Sequence, residues 1–138
     1  MLVEFALVAP LLFLLIFGVI EFGYAFLQYL DVRHGAREAG RLAAVNYRPD
    51  ASLSVDQSSD IIQEACDRMD SGDDVSIQLA FDDPAENVIG DKVIVTVRQS
   101  YSSLTGFFDI LNVDFTSAVD VRLEQDATWA DATEDCAP

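Results

Sequence analysis

The sequence predicts an α+β protein with the outline of a ladle. A long hydrophobic N-terminal helix packs by its distal half on a small antiparallel sheet, with a second, amphipathic helix alongside. Three observations predict this. Phe5 to Ile20 contains no charged residue. Beyond Asp31 small residues recur every four positions, the repeat of one helix face. From Val75 to Leu123 apolar residues alternate with polar ones, the period of strands buried on one side.

The first element is the most strongly marked. If Glu21 and Gln28 are tolerated within it, the apolar segment reaches Leu30. Such a helix spans ~39 Å, against ~30 Å for the hydrocarbon core of a bilayer. A cleaved secretory signal would have a basic start and a shorter apolar core. Nothing basic precedes Arg33, so a membrane-spanning helix is the expectation. Residues 1–30 are therefore read as a transmembrane or filament-core helix, 31–48 as its amphipathic continuation, and 49–138 as an acidic α+β domain. Pro10 removes the hydrogen bond to the Ala6 carbonyl and is expected to kink the helix.

In the continuation, "LDVRHGAREAGRLAAVNY", Gly35, Ala39 and Ala43 fall on one line and Ala36, Gly40 and Ala44 on the next. Together with Gly18 and Gly23 of the apolar run, these are the expected sites of close helix packing. Arg33, Arg37 and Arg41 share a further line, and Glu38 can reach His34 or Arg41. The helix is expected to end near Tyr47, because Pro49 disfavours helical geometry at Arg48.

The second helix is read in "SVDQSSDIIQEACDRM", opening with Ser54 and Gln57 in capping-box spacing. Ile61, Ile62, Ala65 and Met69 follow helical periodicity, with Cys66 close to their face, and "DSGDD" ends the element. Val75, Ile77, Leu79 and Phe81 form one strand face. Val93, Val95, Val97 and Tyr101 form a second. Val113, Phe115, Val119, Val121 and Leu123 form a third, interrupted by Ser117. "DDPAENVIGD" links the first two strands, and "SSLTGFFDILN" links the next two through an apolar loop or turn of helix. The tail from Asp126, with Trp129 and Cys136, is assigned no strand.

Charge divides the chain unevenly. Residues 1–48 carry four acids and four arginines; residues 49–138 carry 20 acids and four basic residues, which is the whole net charge of −16. Such a domain repels nucleic acid. Its acids read as a solvated outer face, or as a partner- or calcium-binding surface, although neither "DSGDD" nor "FDDPAEN" has the spaced ligand pattern of a calcium loop. Cys66 and Cys136 form no CxxC, and His34 is the only histidine, which disfavours zinc. The two cysteines are expected to form a disulfide that tethers the tail; two separate thiols are the alternative. No phosphate loop, dinucleotide fingerprint or HExxH occurs, and no acid can be assigned to orient His34 as a general base. Neither an enzyme nor a cofactor is expected.

"VEFALVAPLLFLLIFGVIEFG", with Glu4, Pro10, Gly18, Glu21 and Gly23, resembles the N-terminal signature of TadE/TadG-like proteins. These are pilin-like proteins of tight-adherence (Tad, or Flp) pili, within the type IV pilin superfamily. "GAREAGRLAAV" and "SAVDVRLEQ" are similar to later parts of the family pattern, but the specific resemblance covers only the first third of the chain. It implies a structural subunit whose basic leader is cut by a prepilin peptidase. The subunit then waits in the inner membrane with its acidic domain outside, and the inner-membrane assembly machinery moves it into a surface filament used in adherence. Its partners there are copies of itself or related pilins. The arginines after the apolar run would, counted alone, hold the domain in the cytoplasm; the resemblance implies the reverse, with leader charges upstream of Met1. Glu4 and Phe5 match the family's Glu-aromatic pair one place early. On this reading Glu4 neutralises an N-terminal amine and fixes filament register. Glu21, ~26 Å further along the helix, is a second carboxylate at the opposite membrane edge. Arg33, Arg37 and Arg41 meet the acidic surface of a neighbour. The alternative is a single-span, membrane-anchored assembly or interaction factor that does not enter a filament.

Overall fold

An unbroken α-helix, α1, runs from Leu2 to Ala44 and passes through Pro10 without interruption. The computed structural model describes residues 2–49, 56–70, 74–83, 87–106 and 113–136. Helix α2 spans Gln57–Cys66. Strands β1 (Val75–Phe81), β2 (Lys92–Ser100), β3 (Asp114–Arg122) and β4 (Ala132–Asp135) form one antiparallel sheet in the order β3-β2-β1-β4. The expected α+β architecture is the one observed: the distal half of α1 and the whole of α2 lie against one face of the sheet.

The alternating sequence pattern becomes rows across that face. Leu79 pairs with Val95, which pairs with Val119; Phe81, Val93 and Val121 form the adjoining row. Ser117, the interruption in the third run, stands opposite Val97 in the row begun by Ile77. Val32, Ala36, Ala39, Leu42 and Ala43 of α1 are buried against this face, as are Ile61, Ile62 and Ala65 of α2.

Several boundaries differ from expectation for local reasons. Helix α1 stops at Ala44, because Asn46 takes a left-handed conformation (φ 54°). The Asn46 and Tyr47 amides then donate to the Ala43 and Leu42 carbonyls, the paired bonds of a Schellman turn. The N-cap of α2 is Asp56, whose carboxylate accepts from the Ser58 amide at 3.0 Å. Gln57 does not complete a capping box; its side-chain amide donates to the Asn46 and Tyr47 carbonyls and ties α2 to the end of α1. Ser54, residues 84–86 of the first acidic link and residues 107–112 of the apolar loop lie outside the described residues, as does part of "DSGDD". The tail contributes β4, paired with β1 from Ser76 to Leu79. Trp129, just before it, stacks on Phe81 at 4.4 Å. The expected disulfide joins Cys66 at the end of α2 to Cys136 after β4.

The close approach of α1 to its neighbours depends on two glycines. A Cβ at Gly40 would stand 2.9 Å from Cγ1 of Val121, and one at Gly35 would overlap the Met69 sulfur. The β-branched valine is stiff, whereas the thioether chain can rotate aside. Alanine should recover ~1 kcal/mol of helix propensity at either site. Gly35→Ala is therefore expected to be near neutral. Gly40→Ala should lose roughly 1 kcal/mol net, after an overpacking cost of ~1–3 kcal/mol. Denaturant unfolding of both variants in detergent checks this, and a fully stable Gly40→Ala would mean that helix and sheet separate without strain.

Candidate functional site

The helix divides into two halves by what covers it. The most apolar 18-residue window of α1 is long and apolar enough to cross a membrane, and none of it is buried by the rest of the chain. Val3, Phe5, Leu7, Leu11, Leu14 and Ile20 all present their side chains outward. Val3 to Ile20 rises ~27 Å, close to the thickness of a hydrocarbon layer. Glu4 is exposed in the first turn, where a carboxylate interacts favourably with the helix dipole. A Cβ added at Gly18 or Gly23 would meet no atom within 4 Å, so the chain's own packing does not require glycine at either position. By contrast Gly35, Ala36, Ala39, Gly40, Ala43 and Ala44 are all buried by the chain's own domain.

On one face the domain's cover begins at Glu21, only 3 % exposed despite its place in the apolar run, while Phe22, Phe26, Leu27 and Leu30 on the other faces stay exposed. Its carboxylate accepts hydrogen bonds from the Tyr101 hydroxyl at 2.6 Å, the Leu104 amide at 3.0 Å and the Thr105 hydroxyl at 3.1 Å. Two turns further on, Gln28 is 5 % exposed and donates to the Ser102 carbonyl at 2.9 Å. The two polar residues of the run thus hold the same loop, the start of the β2–β3 connection. Their seven-residue spacing puts both on one helix face, which is the sequence signal for a shared partner. Alternation alone places Tyr101 on a strand face and gives no sign that the loop after it grips the helix. Beside the clamp, Gly18, Phe22 and Ala25 of α1 and Tyr101, Val113 and Phe115 of the domain line a largely apolar groove of about 360 Å³.

The arginine line splits in the same way. Arg33 lies over the Tyr29 ring at 5.8 Å, and Arg37 and His34 are exposed. Arg41 is engaged within the chain, donating to Glu38 at 2.6 Å. Glu38 also accepts from Arg68, which bonds Glu64 at 2.5 Å, and Glu64 accepts from the Tyr47 hydroxyl at 3.0 Å. This chain of charges fastens α2 to α1.

The Arg68 guanidinium, and after it the Tyr47 hydroxyl, holds the Glu64 carboxyl below the usual carboxylate range. A carboxyl with a lowered folded pKa adds stability above its ordinary pKa and loses it as the pH falls through the lowered value. Arg68→Met should therefore be less stable than wild type at neutral pH, with the gap closing in acid. Unfolding followed across that range checks it; a gap constant with pH would assign the effect to packing alone.

Among the described residues, no group of three or more His, Cys, Asp or Glu side chains is placed to hold a metal ion. What the arrangement offers is an uncovered apolar helix, a carboxylate at its start and a domain locked to its far half. No curated protein and no solved structure matches the chain. The helix does find a match: residues 1–41 fit the family model of TadE-like proteins, so it is in its N-terminal segment that the chain is similar to that family.

Proposed function

We propose that this chain is a structural pilin-like subunit of a Tad pilus, which assembles into a surface filament through its N-terminal helix. The observation that carries this reading is the uncovered apolar half of α1, continuous with a helix that its own domain grips firmly. In a membrane, lipid covers such a surface; in a filament, the helices of neighbouring subunits cover it. The TadE-like match over this same segment supports the reading. On this account the acidic domain lies outside the inner membrane before assembly. A prepilin peptidase and the inner-membrane assembly machinery act on the precursor, and copies of itself or related pilins are its partners in the filament.

Glu4 then sits among apolar helices and neutralises an N-terminal amine of its own or a neighbouring subunit. A misaligned neighbour would leave that charge buried and unpaired, at a cost of several kcal/mol (about 3–5), so register is enforced. Arg33 and Arg37, exposed on the helix, meet the acidic surface of an adjacent domain.

The test is mass spectrometry of filaments sheared from the cell surface, for wild type and Glu4→Ala. Wild-type chain in the sheared fraction, with Glu4→Ala retained in the membrane, is the expected result. Normal incorporation of Glu4→Ala would remove the register role. Wild-type chain found only in the membrane would favour the single-span assembly or interaction factor.

A further inference from the structure

Among the described residues both edges of the sheet are open, and they run in opposite directions. At the two ends of the β2–β3 ladder the Val113 carbonyl accepts from Tyr101 and the Leu123 amide donates to Asp91. The residues between these ends alternate, so Asp114, Thr116, Ala118, Asp120 and Arg122 turn their amides and carbonyls to the edge. In β4 the Cys136 amide bonds Val75, which leaves Thr133 and Asp135 facing outward. No described residue hydrogen-bonds these backbone groups. Strand β3 is nine residues long and carries no proline, lysine or bulge, the usual protections of an edge.

Helix α1 runs in the same direction as β3, since Tyr29 packs on Phe115 and Gly40 on Val121 and Val119. Arg33 and Arg37 follow Tyr29 at four-residue spacing, which places them on that flank of the helix. The opposite flank, with Gly35 and Glu38, faces Met69 and Arg68. Four helical residues rise ~6 Å and two strand residues ~7 Å, so Arg33 stands level with Ser117 and Arg37 nearly level with Val119.

We propose that a second copy of this chain docks its β4 on the β3 edge, continuing the sheet from chain to chain beside Arg33 and Arg37. Because β4 runs against β3, the two pair antiparallel only when both long helices point the same way. Copies in one membrane or one filament meet that condition, whereas β3 pairing with β3 would point the helices in opposite directions. The sheet contains the rows Thr116–Arg98–Ser76–Asp135 and Ser117–Val97–Ile77–Glu134. Continued sideways without a shift, they set Asp135 of the second copy opposite Thr116 and its Glu134 opposite Ser117. The outward-turned backbone groups of the two strands then face one another. Glu134 points to the helical side of the sheet, where it bonds Ser59, and in the added strand its carboxylate comes beside Arg33 and Arg37. Ser117, the small residue in its row, leaves it room. A strand this short binds weakly alone and takes effect because the apolar helices hold copies side by side. The proposal rests on the subunit reading only for the shared helix direction, which a membrane anchor supplies equally.

The test is cross-linking of the full chain by a short bis-maleimide, in membranes and in material sheared from the cell surface. The variants are Ala118→Cys, Thr133→Cys and the two combined, both exposed positions on the outer face of the sheet. The native cysteines are bridged and do not react. Across the new pair the Cα atoms would lie ~5.5 Å apart. The combined variant should give a ladder of dimers, trimers and higher species, because each copy offers both edges. Each single variant should stay monomeric, and a mixture of the two should stop at dimers. Reversing the exposed Arg33 and Arg37 to glutamate should reduce the ladder roughly fivefold, and an unchanged ladder would overturn the charge contact. Dimers from a single variant would mean a two-fold contact and overturn the proposal. Chain in the sheared material without a ladder would overturn it while the filament reading stands. A ladder in membranes with no sheared chain would uphold it against that reading, and the absence of both would end both.

Discussion

Replacing Cys66 and Cys136 by serine should cost about 4 kcal/mol of stability, as expected for opening a loop of this size. The bridge closes a separation of 70 residues that takes in the whole sheet. The cost should appear first in β4, which has only four residues, each paired to β1 alone. Noncovalent ties to this segment exist but are few. The Ser58 hydroxyl donates to the Ala130 carbonyl at 2.7 Å, Ser59 bonds Glu134, and Trp129 stacks on Phe81. Denaturant unfolding of the double variant, with hydrogen exchange on residues 132–135, measures both effects. A loss below ~1 kcal/mol, far under the chain-entropy value, would mean that Trp129 and the serine contacts already hold the tail in the unbridged protein.

How much of the fold is legible in the sequence depends on whether the determining contacts are local. The long helix and three of the strands carry their own periodicity, because each buries one face continuously over seven or more residues. Strand β4, "ATED", has no apolar alternation; β1 makes it a strand by pairing, and Cys136 holds it there. The start of α2 departs from the capping-box expectation because Asp56 caps it with its own carboxylate, leaving Gln57 free to bind the end of α1. Glu21 is legible as an anomaly but not as a clamp. Its Tyr101 partner lies 80 residues away, and a carboxylate in an apolar run suggests a membrane edge unless the loop that covers it is known. The small residues of the continuation are legible as packing sites, but their pattern does not say whether the partner is the same chain or another.

That last point leads to the prediction with the largest effect. A fragment beginning at Asp50 should not fold, whereas one beginning at Asp31 should. Val32, Ala36, Ala39, Leu42 and Ala43 are each at most 1 % exposed, and they cover Val93, Val95, Ile77 and Leu79 of the sheet. Losing a buried leucine alone costs ~2–5 kcal/mol, and a domain of this size has only ~5–15 kcal/mol in total. Removing the whole helical segment also bares the inner face of the sheet, so no native-like state should survive. The fragment from Asp31 keeps these contacts and sheds the exposed apolar helix. It loses the Glu21 and Gln28 clamp and the Tyr29 ring contact with Phe115, so exchange should quicken at residues 101–105 and at the start of β3 while the rest of the sheet stays protected. Near-ultraviolet circular dichroism of Trp129 reports the fold in each fragment. A folded fragment from Asp50 would show that α2 and the sheet form a core unaided. A collapsed fragment from Asp31 would instead make the clamp, and with it the apolar half of the helix, part of what holds the domain together.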